Sequence, residues 1–215
     1  THLSGTGCAD LSDILFYPTV NQVKADGSVY DCPAHIFSHE DETATPGYYS
    51  VKMDNNAIFA ELTATPRTGV HRYTFNAGDV RAIVIDLIHT VAAPDEIYKG
   101  SEFQKVSDTE IMGYKNTDAF VPDQHQYFYA RFSEPFQVEI LSDTHALLTF
   151  APETRQVTAA VSLSAVSYEN AKENGLAEVP VLDFDKVKAD ARAAWTEEMN
   201  EITVKGGTKE QKINF

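Results

Sequence analysis

A mainly-β fold, an antiparallel β-sandwich followed by a C-terminal linker helix, is predicted on three observations. Short apolar or alternating runs recur from Asp13 to about Val166. Gly, Pro, Asn and Asp turn signals separate them, with no helical pattern between, as expected of antiparallel sheets packed face to face. After Tyr168 the apolar period becomes that of a helix.

Taken in order, "AIFAELTA" (Ala57 to Ala64) and "GVHRYTF" (Gly69 to Phe75) are mixed or alternating runs bounded by turn residues. "RAIVIDLI" (Arg81 to Ile88) is almost continuously apolar, the pattern of a strand covered on both faces. "QYFYARFS" (Gln126 to Ser133), "FQVEIL" (Phe136 to Leu141), "ALLTFA" (Ala146 to Ala151) and "QVTAAVSLSAVS" (Gln156 to Ser167) continue the series. Turns are predicted at Ala25-Asp26-Gly27, Thr45-Pro46-Gly47, Met53 to Asn56, Asn76 to Asp79 and Ser133 to Pro135. "ENAKENG" reads as a short helix stopped by Gly175, and "VPVLDFD" as a connector. The stretch Asp185 to Ile202 is strongly helical, with Val187, Ala191, Trp195 and Met199 in one apolar stripe and Asp183 or Asp185 as N-cap. Thr208 and Gln211 form the capping box of a further helix that has only begun at Phe215.

The 215 residues suffice for a self-supporting core. With 32 acidic against 17 basic side chains the formal charge is −15. No Lys/Arg stripe is present to displace counterions from phosphates, so nucleic acid is excluded as a partner. No apolar run approaches the roughly 20 residues that span a bilayer. Cys8 and Cys32 either pair or are two small buried side chains.

Several groups of residues invite a chemical reading. His35 and His39 stand four apart beside Glu40, Asp41 and Glu42, a spacing open to a metal, although no further ligand with site-like spacing follows and a solvated acidic loop fits better. Arg67, His71 and Arg72 are close in sequence, and His89 follows an apolar strand; each fits a satisfied polar side chain at least as well as a ligand. Tyr127, Phe128, Tyr129 and Phe132 make an aromatic-rich strand that could stack sugar rings or simply pack. The opening "THLSGTGCADLSDILFYP" combines Gly, Thr and Ser densely, as where a backbone approaches something closely. No Ser-His-Asp set, phosphate loop or CxxC zinc site is found, and no catalytic or metal residue is assigned.

Eight segments, in order and spanning essentially the whole chain, resemble the N-terminal part of the bacterial glycoside hydrolase family 92 α-mannosidases. They are "THLSGTGCADLSDILFYPTV", "FSHEDETATPGYYSVKM", "AELTATPRTGVHRYTF", "IVIDL", "IMGYKNT", "QYFYARFSEPF", "VSYENAKEN" and "FDKVKADARAAWTEEMNEITVKGGTKEQKINF". The resemblance implies an N-terminal β-sandwich (1–167), a helical linker (168–203) and, at 204–215, the first residues of a helical toroid catalytic domain that lies outside this chain. It implies an exo-acting, inverting, calcium-dependent enzyme that cleaves α-linked mannose, many members preferring the α-1,2 bond. The expected partners are a mannose-containing glycan such as an N-glycan, bound at the domain interface, and the missing toroid. A secreted, periplasmic or cell-surface location is expected on the same ground. The acid, the base and the calcium site of the family come mainly from the toroid, so catalytic residues are expected outside this chain and calcium in the parent rather than in this piece. The sandwich contributes loops to the pocket, and the "HLSGTGCAD" loop is expected to form its rim through His2, Thr6, Gly7, Cys8 and Asp10; equally, Gly5 and Gly7 make a tight turn that Asp10 caps. Gly113-Tyr114 stands where the family pattern leads one to expect Gly-Trp. The alternative to a scaffold that lends loops is a stand-alone carbohydrate-binding sandwich.

Overall fold

A computed structural model of the chain describes residues 14–21, 34–89, 97–118 and 121–215. Among the described residues twelve strands divide between two sheets, and every pairing is antiparallel. The smaller sheet has the order β1 (Leu15–Thr19), β6 (Ala82–Asp86), β11 (His145–Phe150), β10 (Phe136–Ile140). The larger runs β2 (Glu42–Thr45), β3 (Tyr48–Met53), β4 (Ile58–Ala64), β5 (Thr68–Phe75), β12 (Gln156–Ser164), β9 (Gln124–Phe132), β8 (Glu110–Thr117), β7 (Tyr98–Lys105). The predicted sandwich is what forms.

The core between the sheets is built from the inward half of each alternation: Phe16 from β1, Ile83 and Ile85 from β6, Tyr73 and Phe75 from β5, Phe128, Ala130 and Phe132 from β9, Leu148 and Phe150 from β11. Burying one such side chain contributes about 1.5–3 kcal/mol. Ala82, Ile83, Val84 and Ile85 are all inaccessible, which is why this one strand reads as a continuous apolar run. Gly113 sits where a Cβ would fall 2.5 Å from the Glu102 carbonyl oxygen and 2.6 Å from Phe128, so the strand passes there only without a side chain.

Two helices cover the outer face of the larger sheet. Helix α1 (Tyr168–Glu178) is N-capped by Ser167. It does not stop at Gly175 as the sequence suggests. That glycine lies inside the helix because a Cβ there would meet Ser162 Oγ at 2.5 Å. Helix α2 (Phe184–Met199) takes Asp183 as its N-cap and ends at Asn200, shorter than predicted. Of its apolar stripe only Val187 is buried, with Phe184, Val179, Val70 and Ala160. Ala191 is half-buried and Trp195 and Met199 are exposed. The helix therefore shares the stripe between the sheet and solvent rather than presenting all of it outward. A short helix α3 (Lys209–Asn214) carries the predicted capping box of Thr208 and Gln211.

Candidate functional site at one end of the sandwich

Strand register brings the starts and ends of several elements to one end of the molecule. Leu15 and His145 both pair with Asp86. In the other sheet, Thr117 pairs with Gln124, Ser164 with Tyr127 and Thr68 with Ser162. Contacts between the sheets tie these sets together: Lys115 Nζ donates to the His89 carbonyl at 3.0 Å and Ser101 Oγ to the Asp143 carbonyl at 2.5 Å. The turns after β2 and β4 lie at this end too, and α2 runs toward them, since a Cβ on Gly47 would sit 3.1 Å from Ala191. A groove of about 450 Å³ separates Thr65 and Pro66 from Ala191 and Trp195.

His2, Thr6, Gly7, Cys8 and Asp10, the predicted rim, lie outside the described residues, as do Cys8's possible mate Cys32 and the turn predicted at Ala25-Asp26-Gly27. The segment that carries the rim residues leads into β1 at Leu15, beside the Asp86 corner. There the Asp86 carboxylate accepts from the backbone of Ile88 at 2.8 Å and His89 at 2.9 Å, and faces His145 Nε2 at 3.4 Å. Burial works to raise its pKa, but the hydrogen bond and charge of His145 with the two backbone donors outweigh it and hold the carboxyl below its ordinary value. Lys115, only 1% exposed, caps the carbonyl of the same His89. His89 thus has its N–H held by an anion and its C=O by a cation. Alternation alone places Lys115 on the inward row of β8 with Ile111, Gly113 and Thr117, and a lysine on a core row was the available signal for this corner.

The other candidates separate. Arg72 points outward and binds Glu61 with two nitrogens, at 2.6 and 2.9 Å, and Asp185 at 2.9 Å. Arg67 lies in the turn after β4, against Glu178 at 2.6 Å. His71 points inward, edge-on to Phe16, and shares a 2.9 Å hydrogen bond with the Tyr73 hydroxyl. Some of its surface still meets solvent, yet the atoms crowded around the ring push the imidazole down to about 4, so it is neutral at pH 7. His35 stacks on Tyr17 and binds Asp54 at 2.7 Å, whereas His39 binds Glu42 at 2.5 Å. The two histidines do not converge.

These features coincide with a family match. The description "Glycosyl hydrolase family 92 N-terminal domain" fits residues 1–208. The chain belongs to glycosyl hydrolase family 92. It is similar to a family GH92 α-mannosidase of Bacteroides thetaiotaomicron, with 28% identity, a TM-score of 0.79, and coverage of 96% of this chain and 31% of that one. The same mannosidase has been seen in complex with mannoimidazole. A GH92 inverting mannosidase from Bacteroides thetaiotaomicron VPI-5482 matches at 25% identity and a TM-score of 0.72, over 90% of this chain and 27% of its own. A curated relative, described as an uncharacterized secreted glycosidase of Arthroderma benhamiae, is 24% identical over 96% of this chain and 32% of its own length. The chain thus spans between about a quarter and a third of the length of these relatives and corresponds to the family's N-terminal domain.

Proposed function

We propose that this chain is the sandwich (1–167), linker (168–203) and first toroid residues (204–215) of a secreted exo-α-mannosidase that hydrolyses α-1,2-linked mannose with inversion. On this reading its own role is to orient the catalytic domain and to lend the His2–Asp10 loop to the pocket. The observation that carries it is the family match together with the meeting of β1's entry, the Asp86–Lys115 corner and α2 at one end of the sandwich. Inversion requires a carboxylic acid on the leaving oxygen and a carboxylate that activates water on the opposite face. Both are assigned to the parent's helical domain. Calcium would supply a hard cation for the vicinal hydroxyls of mannose. Among the described residues no group of three or more His, Cys, Asp or Glu side chains fits a metal. What these residues do instead is fix the roots of loops: Asp86, His145 and Lys115 immobilise His89 beside the strand into which the His2–Asp10 loop leads.

The test is hydrolysis of α-1,2-mannobiose in calcium buffer by this chain, by the separately expressed helical domain, and by their mixture. Activity is expected only in the mixture, and His2→Ala or Asp10→Ala should then lower kcat/KM by about tenfold or more, the equivalent of roughly 1.4 kcal/mol in the transition state. Activity of this chain alone would overturn the assignment of catalysis elsewhere. Inactivity of a mixture shown to associate would count against the mannosidase reading.

A further inference from the structure

The outer face of the larger sheet carries aromatic rings that the pocket above does not use. Tyr114 on β8 and Tyr127 on β9 are direct cross-strand partners, and His125 precedes Tyr127 by one step on the same face. The three ring planes are nearly parallel: 29° between the tyrosines, 19° between Tyr114 and His125, 14° between His125 and Tyr127. Their centroids form a triangle with sides of 5.8, 6.2 and 6.2 Å. Rings stacked face to face in contact lie about 3.5–4 Å apart, so at these separations the rings are offset and none is fully covered by the other two. Tyr168, the first residue of α1, stands edge-on to Tyr127 at 5.0 Å and is held there by its hydroxyl on Glu102. All four remain partly exposed.

The polar surroundings are unusual for a packing cluster. His125 Nε2 and Asn116 Nδ2 both reach Asp123 Oδ1 at 3.1 Å, which leaves His125 Nδ1 and Asn116 Oδ1 buried with no partner among the described residues. Buried polar atoms are almost always satisfied, so a water or a ligand hydroxyl that reaches this pair completes its hydrogen bonding. A cleft of about 290 Å³ adjoins the rings at His125, with Leu163, Ala165 and Val166 in its lining beside the polar Gln126, Ser164, Asn170 and Asn174. The nearest charges on this face are the carboxylates Asp118, Asp123 and Glu102, with Lys99 paired to Asp118 at 3.0 Å, while Arg67 at the cleft's edge is committed to Glu178. Phosphate-bearing and acidic ligands are thereby disfavoured, whereas hydroxyl donors are welcome.

We infer that Tyr114, His125 and Tyr127, with the adjoining cleft, form a binding surface for a neutral pyranose of a glycan chain. The apolar face of the sugar lies on the rings, and its hydroxyls meet the amides and carboxylates around them. The inference rests on the mannosidase reading only for the choice of mannose as the sugar.

Affinity electrophoresis of this chain through gels containing yeast mannan, or a β-glucan at equal concentration, separates the two. Mannan is expected to retard the chain. Tyr127→Ala should weaken that binding about tenfold and His125→Ala several-fold, while Gln137→Ala, exposed on the smaller sheet, leaves it unchanged. His125 is on an exposed face, so its variant keeps the test decisive even if Tyr127→Ala fails to fold. Retardation by the glucan alone, abolished in the His125 and Tyr127 variants, would uphold the surface and count against mannose. No retardation in either gel, or retardation insensitive to both substitutions, would overturn the inference.

Discussion

Asp86 and Lys115 show what single residues do at the candidate-site end of this sandwich. An ammonium that is 1% exposed costs several kcal/mol in lost hydration unless its hydrogens are used, and Lys115 spends one on the carbonyl of His89. Asp86 uses one carboxylate oxygen on two backbone donors and turns the other to His145. Because its pKa is depressed in the folded chain and returns to about 3.9 on unfolding, the sign of its contribution is fixed. The stabilisation is complete above the unfolded value and is lost as pH falls through the folded one. Asp86→Asn is therefore expected to cost about 2 kcal/mol at pH 7 and to lose less as pH drops below 4 than the parent does. Urea denaturation at pH 7 and pH 3 measures both. An equal loss at the two pH values would show that the charge of Asp86 is not what matters.

At the scale of elements, two carboxylates fasten the helices to the sheet. Glu178 at the end of α1 takes the Thr65 hydroxyl and the backbone and side chain of Arg67. Glu61 on β4 accepts from Nε and Nη2 of Arg72 and from the Tyr48 hydroxyl, while Arg72 Nη1 reaches Asp185 in the first turn of α2 and the guanidinium lies 4.3 Å over the Phe184 ring. With Arg72 and Glu61 only 17% and 8% exposed, removal of one partner leaves a buried charge. Arg72→Met should cost about 3–5 kcal/mol and speed hydrogen exchange in α2, whereas Arg72→Met with Glu61→Met should recover most of the loss. A double variant no better than the single would mean that the pair itself, rather than the orphaned Glu61, holds α2 in place. This level also shows what the sequence makes legible. β6 is apolar on both faces and the α3 capping box is local, so both are readable from the residues. β7, "YKGSEFQK", is a polar edge strand, and β8 carries Lys115 on its inward row. Hydrophobic patterning marks neither, because β7 is polar along most of its length and the buried row of β8 (Ile111, Gly113, Lys115 and Thr117) holds one large apolar side chain. Gly175 misleads for a related reason: a helix-stop residue serves close packing against Ser162. The clamp of Arg72 was invisible because its partners Glu61 and Asp185 lie 11 and 113 residues away.

For the molecule as a whole, the direction of α2 matters most. Its first turn is locked to the sheet by Phe184, Val187 and Arg72, and its last two turns pass the β4–β5 turn with Trp195 53% and Met199 61% exposed. A helix anchored at one end and apolar at the other transmits the orientation of the sandwich to whatever covers that free end. On the proposed reading the occupant is the helical catalytic domain, placed against the same end of the sandwich as the Asp86 corner. The chain has a single tryptophan, so 5-fluorotryptophan introduced into this chain alone gives one ¹⁹F resonance, from Trp195. Adding the unlabelled helical domain should shift and broaden that resonance. Trp195→Ala should weaken association by about thirtyfold, the roughly 2 kcal/mol expected of a tryptophan central to an interface. A resonance that stays at its free position while the domains demonstrably bind would place the interface elsewhere. The linker helix would then be a spacer, and the pocket would have to be assembled by the sandwich loops without it.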